Sequence, residues 1–165
     1  MERERELRDE RLFIHYKQEA PERFFKESLG TYKTDDDEKR NALAKARLFV
    51  QAVKCGSFQT LIFLGNVGTG KTHLACGIIR ECGGLYRLAS SIVEELRRAK
   101  SFNADKTEAK ILDAYGKTGL LIIDEIGRGA VAAEEQYILY QIINERYNRR
   151  KPMVLISNQT KKEFL

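Results

Sequence analysis

The sequence predicts a three-layer α/β domain, a mainly parallel sheet flanked by helices, and three observations carry the prediction. Four short apolar runs, at residues 60–64, 85–89, 120–123 and 153–157, alternate with longer segments whose apolar residues recur at helical spacing. Strands that alternate with helices in this way pair in parallel, because each helix returns the chain to the same end of the sheet. Directly after the first run stands Gly65-Asn66-Val67-Gly68-Thr69-Gly70-Lys71-Thr72, which has the form G-x-x-x-x-G-K-[ST] of a phosphate-binding loop. The third run, Leu120 to Ile123, is apolar throughout, as a strand buried on both faces should be, and closes in Asp124-Glu125.

At 165 residues and 42% hydrophobic composition the chain fits one domain with a real core. A net charge of +5 in a chain with 32% charged residues permits contact with nucleic acid without requiring it. Cys55, Cys76 and Cys82 are odd in number and lack C-x-x-C spacing, which argues against a disulfide framework or a zinc site and for a reducing, cytoplasmic compartment. The charged first ten residues cannot form the apolar core of a signal peptide, and no later apolar run approaches membrane-spanning length. The expected division is a charged helix or linker over residues 1–21 and the core domain over 22–165.

Along the chain, residues 1–20 alternate acids and bases around sparse Leu7, Leu12, Phe13 and Tyr16, which suits a solvated helix with i,i+4 charge pairs; a partner-binding helix is the alternative. Pro21 breaks the pattern, and Arg23 to Tyr32 supply an aromatic patch. Asp35 to Glu38 then precede an amphipathic helix, 41–53, as an N-terminal cap rather than a metal site. Gly83-Gly84 end the helix that follows the phosphate loop, and Ser90 or Ser91 caps the next one. That helix and its exit carry Arg97, Arg98, Lys100 and Phe102. Basic residues beside an aromatic can track a single strand and stack a base, and they can equally be an ordinary solvated face. A helix is expected over 107–115, and a long one over 132–147 that buries Tyr137, Leu139 or Tyr140, Ile143 and Tyr147. The long helix closes in the basic cluster 146–151, which dipole complementarity explains in part and a phosphate or subunit contact in part.

The chemistry follows from residue type and place. Glycines at 65, 68 and 70 let backbone N–H groups converge on a polyphosphate at the start of a helix. Lys71 would neutralise the β- and γ-phosphates, and the Thr72 hydroxyl would bind Mg²⁺. Between Lys71 and Asp124 there is room for a helix, a strand and another helix before the acidic strand, whose Asp124 can hold the Mg²⁺ hydration shell. Glu125 is placed to polarise a water as general base, and Asn158, at the end of the last strand, to orient that water or touch the γ-phosphate. A small-molecule kinase or a GTPase shares such a loop. However, no N-K-x-D guanine signature occurs, and an Asp-Glu pair suits water activation better than transfer to a metabolite.

Taken together, G-N-V-G-T-G-K-T, L-L-I-I-D-E-I-G and I-S-N-Q-T resemble Walker A, Walker B and sensor 1 of an AAA+ ATPase. G-T-G-K-T-H-L-A, D-E-I-G and I-I-N-E-R-Y-N are similar to the DnaC-type helicase loaders and their relatives, the IstB-type transposition helpers, over roughly residues 22–165. The resemblance implies ATP or ADP with Mg²⁺ held by residues 65–73, including His73. It places Thr72 and Asp124 on the metal, makes Glu125 the catalytic carboxylate supported by Lys71 and Asn158, and sets residues 25–32 beside the adenine. It also tips Arg98, Lys100 and Phe102 toward single-stranded DNA, and implies a replicative helicase and further copies of the chain as partners. Asp-Glu-Ile where transposition helpers commonly have Asp-Asp-Leu favours the loader branch. The family's arginine finger, fifth strand and sensor 2 lid have no counterparts within residues 1–165. The expectation is therefore nucleotide binding with weakened turnover, or binding alone, and a phosphate-loop strand at the sheet edge.

Overall fold

Four apolar segments, β1 (Thr60–Phe63), β2 (Leu85–Leu88), β3 (Leu121–Ile126) and β4 (Met153–Ser157), form one parallel sheet in the order β1-β4-β3-β2. The computed structural model describes residues 2–101, 106–127 and 132–160. Six α-helices accompany the strands among those residues, with a short 3-10 turn at Glu22–Phe24: α1 (Glu2–Glu19), α2 (Asp37–Lys54), α3 (Lys71–Cys82), α4 (Ala89–Ala99), α5 (Glu108–Lys117) and α6 (Ala132–Asn148). The expected three-layer parallel α/β fold is present, and β1 lies at one edge of the described sheet.

Side-chain alternation along the two central strands builds two cores. Ile122 of β3 with Val154 and Ile156 of β4 pack on one face against Tyr16, Phe49, Leu74 and Ile78 from α1, α2 and α3. Leu121, Ile123, Met153 and Leu155 pack on the other against Ile92, Leu96, Ile111 and Ile142 from α4, α5 and α6. Two buried faces explain why β3 and β4 read as continuous apolar runs.

Several local expectations hold for the reasons given. Asp36 caps α2, its side chain accepting from the Lys39 amide; Thr107, the expected first residue of a helix, instead caps α5 through the Lys110 amide. Gly83, at φ 71, ends α3. The cap expected of Ser90 or Ser91 is absent: α4 begins at Ala89 with Leu88 in the cap position and no side-chain hydrogen bond.

Two larger differences concern helix registers. In α6, Tyr137, Tyr140 and Tyr147 are exposed, and the buried stripe is Ile138, Leu139, Ile142 and Arg146. The Arg146 guanidinium, fully buried, donates to the carbonyl oxygens of Tyr115 (2.5 Å), Thr118 (3.0 Å), Gly119 (3.5 Å) and Pro152 (2.5 Å). Its charge therefore fastens the end of α5 and the entry to β4. The end of α1 is not wholly solvated either, although Lys17 and Gln18 are exposed. Tyr16 is fully buried, its hydroxyl donating to the Phe24 carbonyl oxygen, and Ala20 just beyond the helix is buried with it.

Candidate nucleotide site

The glycine loop joins β1 to α3, and its backbone conformation depends on residue type. Gly65, Gly68 and Gly70 have φ of 133°, 85° and 85°, a region that side chains disfavour. Gly70 occupies the cap position of α3 without any capping side chain, so the leading N–H groups of the helix face the loop. Lys71, 8% exposed, curls back so that Nζ donates to the carbonyl oxygens of Gly65 and Asn66, both at 2.7 Å. Burial holds its ammonium below the usual lysine value, partly offset by Asp124. Thr69 folds onto the loop through its hydroxyl, 3.0 Å from the Asn66 carbonyl oxygen, and Val67 at the tip is exposed.

From the middle of the sheet, β3 delivers the acidic pair. Asp124 is 3% exposed, and its Oδ2 accepts from the Thr72 hydroxyl at 2.8 Å. The tyrosine hydroxyl of Tyr86 on β2 donates to the same oxygen at 2.7 Å, and the Glu125 amide donates to Oδ1 at 2.6 Å. The strand continues through both acids to Ile126 rather than ending at them. Pairing with β4 shifts register between Ile123 and Ile126, and Glu125 has φ 59. An irregularity of this kind turns the Glu125 side chain away from the direction that regular alternation would impose.

The segment before α2 closes one side of the loop. Tyr32 donates its hydroxyl to the Thr69 carbonyl oxygen at 3.0 Å, and its ring meets that of His73 edge-on at 5.2 Å. His73 Nε2 lies 2.9 Å from the Ser28 carbonyl oxygen and 3.3 Å from the Glu27 carboxylate. Between this segment, β1 and the loop lies a cavity of about 400 Å³, lined in part by Tyr32, Asp36, Ala42, Phe63, Lys71 and Leu74.

The structure thus brings Lys71, Thr72, Asp124 and Glu125 together. Asn158 follows Ser157, whose hydroxyl donates to the Ile126 carbonyl oxygen at 2.8 Å and so ties the tips of β4 and β3. Arg97 and Arg98 lie elsewhere on α4, paired with Glu134 at 2.5 Å and with Glu94; Lys100 ends that helix, and Phe102 is outside the described residues. Sequence reasoning missed Tyr86, Ser157 and Glu135, whose carboxylate accepts from the Gly127 amide at 2.7 Å. Alternation along β2 is the one signal that could have singled out Tyr86.

Fold and loop together define a phosphate-loop nucleotide-binding domain, with the loop lysine and threonine and the strand aspartate in one cluster. The model of the family "IstB-like ATP binding protein" matches residues 1–164, and the chain belongs to that family, an AAA+ ATPase of the DnaC/IstB type. It is 31% identical over 141 residues to the replicative helicase loader DnaC of Escherichia coli (strain K12), covering 83% of this chain and 57% of that protein. It is 36% identical over 107 residues to the insertion sequence IS5376 putative ATP-binding protein of Geobacillus stearothermophilus, covering 62% and 41%. The chain spans about half the length of the curated relatives it matches. Among solved structures, the DnaC helicase loader superposes with a TM-score of 0.72 at 24% identity, over 85% of this chain and 81% of that one. AMPPCP-bound DnaA from Aquifex aeolicus superposes with a TM-score of 0.67 at 21% identity, over 84% and 44%.

Proposed function

We propose that the chain binds ATP as its Mg²⁺ complex and hydrolyses it, as the ATPase part of a DNA replication protein of the helicase-loader type. The observation that carries this reading is the 2.8 Å contact between Thr72 and Asp124, a hydroxyl and a carboxylate held side by side at the start of the phosphate-loop helix. Thr72 and Asp124 would hold Mg²⁺, which supplies neutralisation of the phosphate charge. Lys71 exchanges its two loop carbonyls for β- and γ-phosphate oxygens, acceptors that suit an ammonium better. Glu125 accepts a proton from the attacking water, and Asn158 orients that water from the end of β4. The cavity beside Tyr32 has room for the base and ribose.

The relatives' names support the wider role. A replicative helicase is the expected protein partner, with single-stranded DNA and further copies of the chain as the other partners. A DNA strand would compete with Glu134 and Glu94 for Arg97 and Arg98 of α4, with Lys100 and Phe102 as the further candidate DNA contacts. The insertion-sequence relatives carry a second reading, a transposition helper. The loader reading is preferred because the DnaC match runs over 141 residues against 107. The protein would act in the cytoplasm, and no helix among the described residues is long and apolar enough to cross a membrane.

The test is Mg²⁺-dependent binding of labelled ATP and ADP to the wild type, Lys71→Ala and Glu125→Gln, with phosphate release followed with and without single-stranded DNA. Binding lost in Lys71→Ala and release lost in Glu125→Gln are expected. Binding without release in the wild type would leave a nucleotide-binding module that needs a further subunit or chain segment for turnover. Absence of binding would end the reading.

A further inference from the structure

We propose that Tyr86 is a positioning residue for the metal-binding pair, holding the Asp124 carboxylate against the Thr72 hydroxyl; the inference rests on the nucleotide-site reading above. Pairing of β2 with β3 sets Leu88 opposite Asp124, so Tyr86 reaches the carboxylate from two residues earlier on the neighbouring strand. Its hydroxyl and that of Thr72 converge on Asp124 Oδ2, at 2.7 and 2.8 Å, while the Glu125 amide takes Oδ1 at 2.6 Å. With three donors on two oxygens, the carboxylate cannot turn without losing at least one of them. A carboxylate that is 3% exposed needs such donors, because water does not solvate it.

Tyr86 is itself held by its backbone. Its amide donates to Glu19 Oε2 of α1 at 3.2 Å, and Arg87 Nη1 bridges that carboxylate oxygen (2.6 Å) and the Tyr86 carbonyl oxygen (2.7 Å). The grip of α1 on this edge strand sets where the phenol can stand. Groups that orient a metal ligand from outside the coordination sphere tune how well the metal binds without touching it.

The discriminating experiment is Tyr86→Phe, which removes one oxygen and keeps the ring. Labelled ATP is titrated in the absence of Mg²⁺, Mg²⁺ is titrated at fixed ATP, and thermal unfolding is followed in the apo protein. We expect the Mg²⁺ midpoint to rise about 10-fold, with Mg²⁺-free nucleotide affinity close to wild type and the melting temperature lowered by only a few degrees, the cost of one donor lost from a buried carboxylate. An unchanged Mg²⁺ midpoint overturns the inference and leaves the nucleotide site standing. A joint fall of melting temperature and Mg²⁺-free affinity also overturns it, since Tyr86 then serves packing alone. A wild type whose nucleotide binding ignores Mg²⁺ overturns both readings, which separates that failure from the other two.

Discussion

The ring of Tyr32 stands where a side chain on Gly70 would go. A Cβ added at Gly70 would lie 2.6 Å from Tyr32 Cε2, and the Tyr32 hydroxyl reaches the preceding carbonyl of the loop, that of Thr69, at 3.0 Å. Segment and loop are fitted to each other, so the conformation that receives phosphate depends on a residue almost forty positions upstream.

Gly70→Ala meets two separate penalties, the Tyr32 ring and a φ of 85°. The backbone cost is about 1–2 kcal/mol for a non-glycine residue in this region, and the clash adds about 1–3 kcal/mol. Denaturant unfolding of Gly70→Ala, Tyr32→Ala and the double variant separates the two. The double variant should be more stable than the sum of single effects predicts, because Tyr32→Ala removes the clash and leaves the φ penalty. Strict additivity would contradict the fit.

Arg146→Met should cost at least about 3 kcal/mol, because it strips donors from four carbonyl oxygens in a buried place. Burial lowers the guanidinium only to about 10, so it is charged at neutral pH and its four acceptors hold that charge. Arg146→Lys should restore little, since one ammonium cannot span the fork. Urea unfolding of the three proteins checks the order, and a near-neutral Arg146→Met would contradict it.

Tyrosines in α1 and α6 should rank opposite to the sequence expectation. Tyr16→Ala removes a fully buried ring and should cost about 3–5 kcal/mol. Tyr137→Ala and Tyr140→Ala remove rings that are 62% and 67% exposed and should stay within about 0.5 kcal/mol. The reverse ranking in thermal melts would sink the observed registers.

Stability should decline in alkali. Burial pushes Cys76 up to about 12 and Cys82 to about 11 from 9.0, and Tyr16 up to about 12 from 10.0. The folded protein keeps these protons after the unfolded chain has released them. Their contribution is therefore complete below pH 9.0 and is lost between there and about 12. Lys71 acts the other way, since its lowered value makes its charge a cost that is relieved as pH rises toward 10.5. Arg146, lowered by burial to about 10 from 12.5, acts with Lys71, whereas Tyr32, Tyr86 and Tyr115 are raised by burial like Tyr16, so the raised groups outnumber the lowered ones and the net is a fall. The urea midpoint should be flat up to about pH 9 and then drop, with a shallower drop in Cys76→Ala because Cys82 still titrates from the same unfolded value, and a midpoint rising from pH 9 to 11 would contradict this.

Much of the site was legible because its grammar is local. Glycines at 65, 68 and 70 mark a backbone that only glycine adopts easily, and an apolar run closing in Asp124-Glu125 marks a buried strand that surfaces at its end. The register of α6 was not legible. Residues 137, 139 or 140, 143 and 147 satisfy helical spacing as well as 138, 139, 142 and 146 do, so that only Leu139 is common to both, and tyrosine looks like a better core residue than arginine. The decision rests on four carbonyl oxygens from other elements, which no spacing within α6 encodes. The same holds for α1, whose charged composition masks the burial of Tyr16 and, just beyond the helix, of Ala20.

By itself, the sequence determined the strand–loop–helix unit, the acidic strand end and the alternation that makes a parallel three-layer fold, because torsional preference, capping and periodicity act over a few residues. Only the tertiary structure decided the strand order β1-β4-β3-β2, and with it which side chains surround Asp124. Thr72 and Tyr86 share one carboxylate oxygen although they lie 52 and 38 residues from Asp124. Contacts at such separations are selected by which faces must be buried against each other, a property of the whole chain that no local stretch contains.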